Sequence, residues 1–369
     1  MYARNLLSLI ICVSTGIAAL GQTQTSTTPT QPALPQLPFP AQIKKTVVFI
    51  RTDCVHMPTD EELAAMTPEE QARWTSDNIE KLKPEELARL KQESHFGTGF
   101  LVLIPDDRLP KSATDPPGST PGFTYLVTNR HVVQPGVEGG RPCKVVNRSI
   151  SVNLLRPSPG ATSSLLSVPL GSVDIMWRFP DDDSVDLAVM QFSLPQTWFD
   201  AITIPISMFV TQEMIDKGDV VEGDPVIFTG LFVQYSGRSR LEPVVRSGTI
   251  AMLPTELVPT TLRKPGHLYF TEAHAFGGNS GSPIFVDVNR FKNSLGFDYR
   301  FLGVVTGEVY ETSDLTLQIT TSYTGTIAAN SNVSVVVPAF QVRDLLLSEP
   351  LQQQRDAFVA QTKAAQPTK

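Results

Sequence analysis

Gly277-Gly278-Asn279-Ser280-Gly281-Ser282-Pro283-Ile284-Phe285 is the stretch on which the reading of this chain turns. Glycines on both sides of Ser280 let the backbone bend sharply, and the apolar run after Ser282 reads as a strand that anchors the bend. A serine hydroxyl is a weak nucleophile. It needs a base in contact and N–H donors for the oxyanion that forms when it attacks a carbonyl. A turn of this composition can aim the N–H groups of Gly278 and Ser280 into one hole, with Gly281 leaving room for substrate. A plain Gly/Ser surface turn is the simpler alternative, and Ser282 is a rival nucleophile on the strand side of the bend.

Two upstream stretches supply the groups such a serine needs. In Leu126-Val127-Thr128-Asn129-Arg130-His131-Val132-Val133 an apolar strand runs into a polar turn, and His131 sits where strand meets loop. That position suits a general base, held by a rigid element yet open to a cleft. In Asp181-Asp182-Asp183-Ser184-Val185-Asp186-Leu187-Ala188-Val189-Met190 four aspartates compete for one role. Asp181 to Asp183 read as a solvated loop. Asp186 immediately precedes an alternating strand, where an acid can be buried enough to orient an imidazole through Nδ1. Taken singly, His131 also reads as a structural hydrogen-bonding residue and Asp186 as a strand-start turn residue.

Further out, the chain is mostly short strands between turns. Strands are expected at 99–104, 124–128, 149–155, 187–192, 225–229, 244–253, 268–272, 282–286, 301–307 and 333–338, which indicates an all-β antiparallel sandwich or barrel pair. The 30 prolines against 24 glycines in 369 residues favour turns over long helices. A net charge of −7 offers no electrostatic reason to expect a nucleic-acid partner. The five histidines show no zinc-ligand spacing, so neither metal nor cofactor is expected.

The chain opens with Arg4, an apolar run from Leu6 to Leu20, and small residues before Gln22. This reads as a signal peptide over 1–21 of an exported protein, and the run is short of the ~20 residues a membrane span needs. Residues 22–41, rich in Thr, Gln and Pro, read as a disordered leader. Export leaves Cys54 and Cys143 as a candidate disulfide, with two buried thiols as the alternative. Residues 55–95 carry two capping boxes, Thr59-Asp60-Glu61-Glu62 and Thr67-Pro68-Glu69-Glu70, and a third helical start at Pro84. They read as a helical insertion, either a lid or docking element or a solvated surface excursion. The segment 341–347 reads as a closing helix, and 350–369 as a polar C-terminal tail.

The three boxes resemble the triad boxes of trypsin-like serine peptidases of the chymotrypsin fold. Gly278-Asn279-Ser280-Gly281-Ser282-Pro283 is similar to glutamyl-endopeptidase-like members. Gly97-Thr98-Gly99-Phe100, Asp186-Leu187-Ala188-Val189, Glu222-Gly223-Asp224-Pro225-Val226 and Ser247-Gly248-Thr249-Ile250 resemble HtrA/Deg protease domains. The likeness runs from about residue 44 to 347, within a domain read as 42–349. It implies two antiparallel six-stranded β-barrels and a serine endopeptidase acting on a protein or peptide substrate. It further implies a triad of His131, Asp186 and Ser280 and an oxyanion hole at Gly278, Asn279 and Ser280. A catalytically silent binding protein on the same fold is the alternative, and an esterase-like hydrolase would use the same groups. About 20 polar residues follow Pro350, so the PDZ domain usual in HtrA/Deg proteins is not expected. Glutamyl endopeptidases carry a pocket histidine where this chain has Val305, so their glutamate preference is not carried over. The resemblance makes His274, Thr306, Gly307 and Glu308 pocket candidates, with Glu308 suggesting basic substrates.

Overall fold

The first strand, β1 (Val47–His56), is buried along nearly its whole length. Val48 and Ile50 pack with Leu101, Leu126 and Ile150, while Val47 and Phe49, facing the other way, pack with Phe100, Val102, Phe285 and Phe301. A strand buried on both faces needs two layers, and the chain supplies them as two sheets in a computed structural model. The residues described are 38–74, 92–111, 121–137, 143–157, 160, 162–170, 176–289, 298–318 and 322–364. The expected signal peptide, most of the leader, the helical start at Pro84 and residues 112–120 lie outside them.

The first sheet adds β2 (Gln92–Pro105), β3 (Gly122–Thr128), β4 (Cys143–Asn153), β5 (Leu165–Pro169) and β6 (Ala188–Gln191), in the order β5-β4-β1-β2-β3-β6. A two-residue strand, β7 (Ile204–Pro205), pairs in parallel with β2. The second sheet comprises β8 (Pro225–Gly230), β9 (Val244–Met252), β12 (Tyr269–Glu272), β13 (Pro283–Asp287), β14 (Tyr299–Gln318) and β15 (Ser322–Pro338). It closes as β12-β15-β14-β13-β8-β9. The short pair β10 (Val258–Pro259) and β11 (Pro265–Gly266) stands outside it. Only one barrel is therefore closed among the described residues. The expected second barrel is seen in part: β5 and β6 are not paired with each other among the described residues, and residues 171–175, between β5 and Arg178, lie outside them. On its other side β6 takes an antiparallel bridge between Arg178 and Val189.

Several boundaries move. The fold begins earlier than Gln42: helix α1 (Phe39–Ile43) buries Ile43, and Phe39 stacks on Tyr299 with ring centroids 3.8 Å apart. The insertion is shorter than 55–95, because β1 runs to His56 and β2 starts at Gln92. Both capping boxes form, on α2 (Asp60–Ala64) and α3 (Pro68–Arg73). The hairpin of β14 and β15 continues far beyond the apolar cores at 301–307 and 333–338, through polar sequence, to the pair Gln318 and Ser322. Two short helices follow in chain order, α4 (Arg130–Val133) and α5 (Gln212–Asp216), and the closing helix is α6 (Ala339–Leu346).

The stretch expected to be a polar tail is largely a helix, α7 (Glu349–Ala364), with Leu351, Arg355 and Val359 buried at a spacing of four. Arg355 donates to the Tyr125 hydroxyl (3.0 Å) and to the Leu346 carbonyl (2.8 Å). No described helix is long and apolar enough to cross a membrane.

Candidate active site

β3 ends at Thr128, and the next residues turn into the four-residue helix α4, which carries His131. That helix is held from three directions. The Asn129 amide donates to the Asp186 carbonyl (2.8 Å), the Thr52 hydroxyl of β1 to the Val132 carbonyl (2.8 Å), and Arg148 of β4 to the Val133 carbonyl through Nε (3.0 Å) and Nη2 (2.7 Å). Arg148 is almost wholly buried. The strands supplying two of these tethers, β1 and β4, are joined by a disulfide between Cys54 and Cys143, whose Cα atoms lie 5.7 Å apart. His95 lies beside this disulfide, but the oxidised sulfurs offer no thiolates for a metal.

Asp186 is 1% exposed and ringed by donors. Its Oδ1 accepts from the His131 backbone N–H (3.1 Å). Its Oδ2 accepts from His131 Nδ1 (2.6 Å), Thr306 Oγ1 (2.5 Å) and Thr261 Oγ1 (3.2 Å). Burial opposes ionisation of this carboxyl. The charge of His131 and the hydrogen bonds from His131 and Thr306 outweigh it and hold the group below the ordinary carboxylate range. An ionised carboxylate fixes the proton of the neutral imidazole on Nδ1 and leaves Nε2 as an acceptor. The neighbouring aspartates do otherwise: Asp183 is 63% exposed and pairs with Lys264 at 2.8 Å, and Asp182 accepts from the Ser184 N–H.

The loop bearing Ser280 docks across the boundary between the sheets. The Thr98 N–H donates to the Ser280 carbonyl (2.8 Å), the Thr98 hydroxyl to the Gly278 carbonyl (2.9 Å), and the Gly281 N–H to the Val305 carbonyl (2.8 Å). Gly281 has φ 86°, and a Cβ there would lie 1.9 Å from the Thr98 carbonyl oxygen. Its smallness therefore serves the contact between the two sheets rather than a space for substrate. Ser282 is fully buried, which removes it as a rival nucleophile.

The Ser280 hydroxyl is partly exposed and donates to the Thr306 carbonyl at 3.5 Å. Thr306 thus touches both the buried carboxylate and the serine. The N–H groups of Gly278 and Ser280 meet no acceptor among the described residues, and Gly278 has φ 96°. Asn279 does something else. Its N–H donates to the Phe276 carbonyl (2.9 Å), and its side chain accepts from the Phe276 N–H (2.9 Å) and donates to the Leu231 carbonyl (2.7 Å). It braces the loop, so its N–H is not available to an oxyanion.

Of the pocket candidates, Thr306 joins the carboxylate network. Gly307 and Glu308 continue β14 opposite Val335 and Ser334, and His274 lies against Phe276 with ring centroids 4.3 Å apart. Sequence reasoning missed Thr261 and Thr306 as carboxylate partners, and Thr52 and Arg148 as tethers of α4. Lone hydroxyls and a lone arginine carry no pattern that could have singled them out.

Residues 97–291, more than half of the chain, match the family described as a trypsin-like peptidase domain. No curated protein matches the chain. Among solved structures it is similar to Deg5 (16% identity, TM-score 0.37, covering 72% of this chain and 81% of that one). It is also similar to the HtrA-type protease AlgW with a decapeptide (14%, 0.38, covering 84% and 66%). A third is the Rv3671c protease of M. tuberculosis in its inactive form (16%, 0.38, covering 86% and 94%). With its serine loop and its buried carboxylate inside the matched span, the chain belongs to the family of trypsin-like serine peptidases.

Proposed function

We propose that this protein is an exported serine endopeptidase in which Ser280 is the nucleophile, His131 the general base and Asp186 the group that orients the base. The observation that carries the reading is the buried Asp186 carboxylate, bonded at 2.6 Å to His131 Nδ1 and linked through Thr306 to Ser280. With Nδ1 committed to the carboxylate, Nε2 is the nitrogen that accepts the hydroxyl proton as Ser280 Oγ attacks a peptide carbonyl. The imidazolium then formed is stabilised by Asp186 and gives its proton to the leaving amine. Water, activated in turn by His131, releases the acyl group from Ser280. The N–H groups of Gly278 and Ser280 receive the oxyanion, a contribution typically of ~10²–10³ in turnover per donor. The chemistry runs on this chain's own groups, and the substrate is a protein or peptide.

A fluorophosphonate probe tests the assignment. Wild-type protein should become covalently labelled and Ser280→Ala should not. Labelling that persists unchanged in Ser280→Ala would show the nucleophile to be another residue. A purified wild-type protein that never labels would leave the silent binding protein as the better reading.

A further inference from the structure

Arg246 lies on β9 directly opposite Phe228 of β8, which lies opposite Ile284 of β13. Residues paired in this way face the same side of a sheet. Phe228 and Ile284 are both fully buried in the apolar interior of the closed barrel. Arg246 therefore projects from an inward-facing position, two strands away from the strand that follows Ser280. Its guanidinium carbon stands 4.6 Å from the centre of the Phe276 ring. Its Nε is buried and without a hydrogen-bond partner, and no carboxylate pairs with it among the described residues. Burial works against its charge, lowering its pKa from the usual arginine value. A cation drawn out of water with only an aromatic face for company is an unfinished interaction, and an anion from outside would complete it.

The position of Phe276 says where that anion comes from. The Asn279 N–H donates back to the Phe276 carbonyl at 2.9 Å, which closes a turn whose first and last residues lie within about 7 Å. Ser280 is the next residue. The ring is 40% exposed, and beside it lies the imidazole of His274, tilted against it with ring centroids 4.3 Å apart, a second basic side chain. A substrate held at Ser280 thus presents the side chain next to its reacting carbonyl to a ring flanked by two basic groups.

Resting on the peptidase reading above, we propose that Arg246, with Phe276 as its platform, is a specificity-determining residue. It receives the side-chain carboxylate of a glutamate or aspartate on the acyl side of the cleaved bond. The cluster thus favours acidic substrates over the basic ones that Glu308 suggested. An arginine–carboxylate contact formed in such a site is charge-assisted and roughly twice as strong as a neutral hydrogen bond, so an amide in place of the acid loses most of it.

The test uses the full chain and matched peptides that differ only in Glu, Asp, Gln or Lys before the cut. For wild type, kcat/KM should be at least about tenfold higher for Glu or Asp than for Gln, and lowest for Lys. In Arg246→Gln the Glu-to-Gln ratio should fall to near one, and Arg246→Lys should restore part of it. Thermal unfolding of each variant checks that the fold is intact. A wild-type ratio near one, or a ratio unchanged in folded Arg246→Gln, overturns the proposal. The same peptides are titrated calorimetrically against Ser280→Ala protein, where the Glu peptide should bind tighter than the Gln peptide without any turnover. Tighter binding of Glu with no probe labelling of wild type would sink the peptidase reading and leave the role of Arg246 standing. Equal binding with normal labelling would do the reverse.

Discussion

The two sheets share one connection order yet are finished differently. Counting the six main strands of each from its start, the first runs 5-4-1-2-3-6 and the second runs 3-6-5-4-1-2 around a ring, so the two differ only in the pairing of strand 5 with strand 6. The second sheet joins its ends, so within the barrel every strand has two partners. In the first, β5 and β6 are not paired with each other among the described residues. What closure does for one half, side chains do for the other: the disulfide from β1 to β4, the buried Arg148 and the Thr52 hydroxyl together fix the helix that bears His131. The loop carrying Ser280 grows from the closed half, while the imidazole and Asp186 hang from the open half. The difference teaches that the serine loop owes its placement to backbone closure, and the acid–base pair owes its placement to specific tethers. Mutations in the open half should therefore act through single residues.

The largest effect should come from Asp186→Asn, which removes the charge behind the imidazole and favours the wrong tautomer. A loss of ~10⁴ in kcat is expected, against little change for the exposed Asp183→Asn. Equal effects of the two substitutions on peptide or ester turnover would show that the wrong acid has been chosen. Next, removing the disulfide by Cys54→Ser with Cys143→Ser should destabilise the protein by ~2–4 kcal/mol, since it closes a loop of 89 residues in the sheet that lacks closure. Denaturant unfolding with and without reductant measures this, and no difference would mean that the open half is self-sufficient. Thr306→Val should lower kcat by roughly tenfold with a smaller effect on KM, because it removes one donor from a buried carboxylate. The acid limb of the pH–rate profile should move up, as the carboxyl loses a bond that favours its ionised form. An unmoved profile would reduce Thr306 to packing.

The smallest effect concerns the join between the halves. Asp200 accepts from Lys45, which precedes β1, at 2.7 Å, and from Arg240, which precedes β9. Burial opposes ionisation of Asp200, but these hydrogen bonds and charges prevail and lower its pKa. A carboxyl depressed in the folded state stabilises fully above its unfolded pKa of about 3.9 and loses that contribution as pH falls through the lower folded value. Asp200→Asn should thus flatten the decline of Tm below about pH 4 relative to wild type, while leaving Tm near pH 7 only slightly reduced. A parallel decline in both proteins would mean that the ion pairs are solvent-screened ornaments.

How much of this was legible beforehand varied with the kind of signal. Glycine spacing around Ser280 is a backbone demand and shows in sequence. Asp186 stood out from three neighbouring acids because an alternating strand follows it. By contrast, Thr261 and Thr306 act through a single hydroxyl each, and nothing periodic marks them. Asn279 was read as a backbone donor, but its side chain draws the Phe276 backbone close and its N–H is consumed there. Helix α7 was missed because one of its three buried positions is Arg355, whose charge hides an inward face. The outer part of the β14–β15 hairpin was missed because its polar composition lacks the apolar alternation that betrays a strand.

Helix α7 follows the last strand of the second sheet yet covers the first, setting Arg355 against Tyr125 and Phe358 against Phe123. Helix α1 precedes the first sheet yet lies on the second, at Phe285 and Tyr299. A nascent chain that has just delivered β13 already holds His131, Asp186 and Ser280, but not Thr306 or the helix that covers β3. Synthesis must therefore run past β14 before Thr306 can close its bond to Asp186.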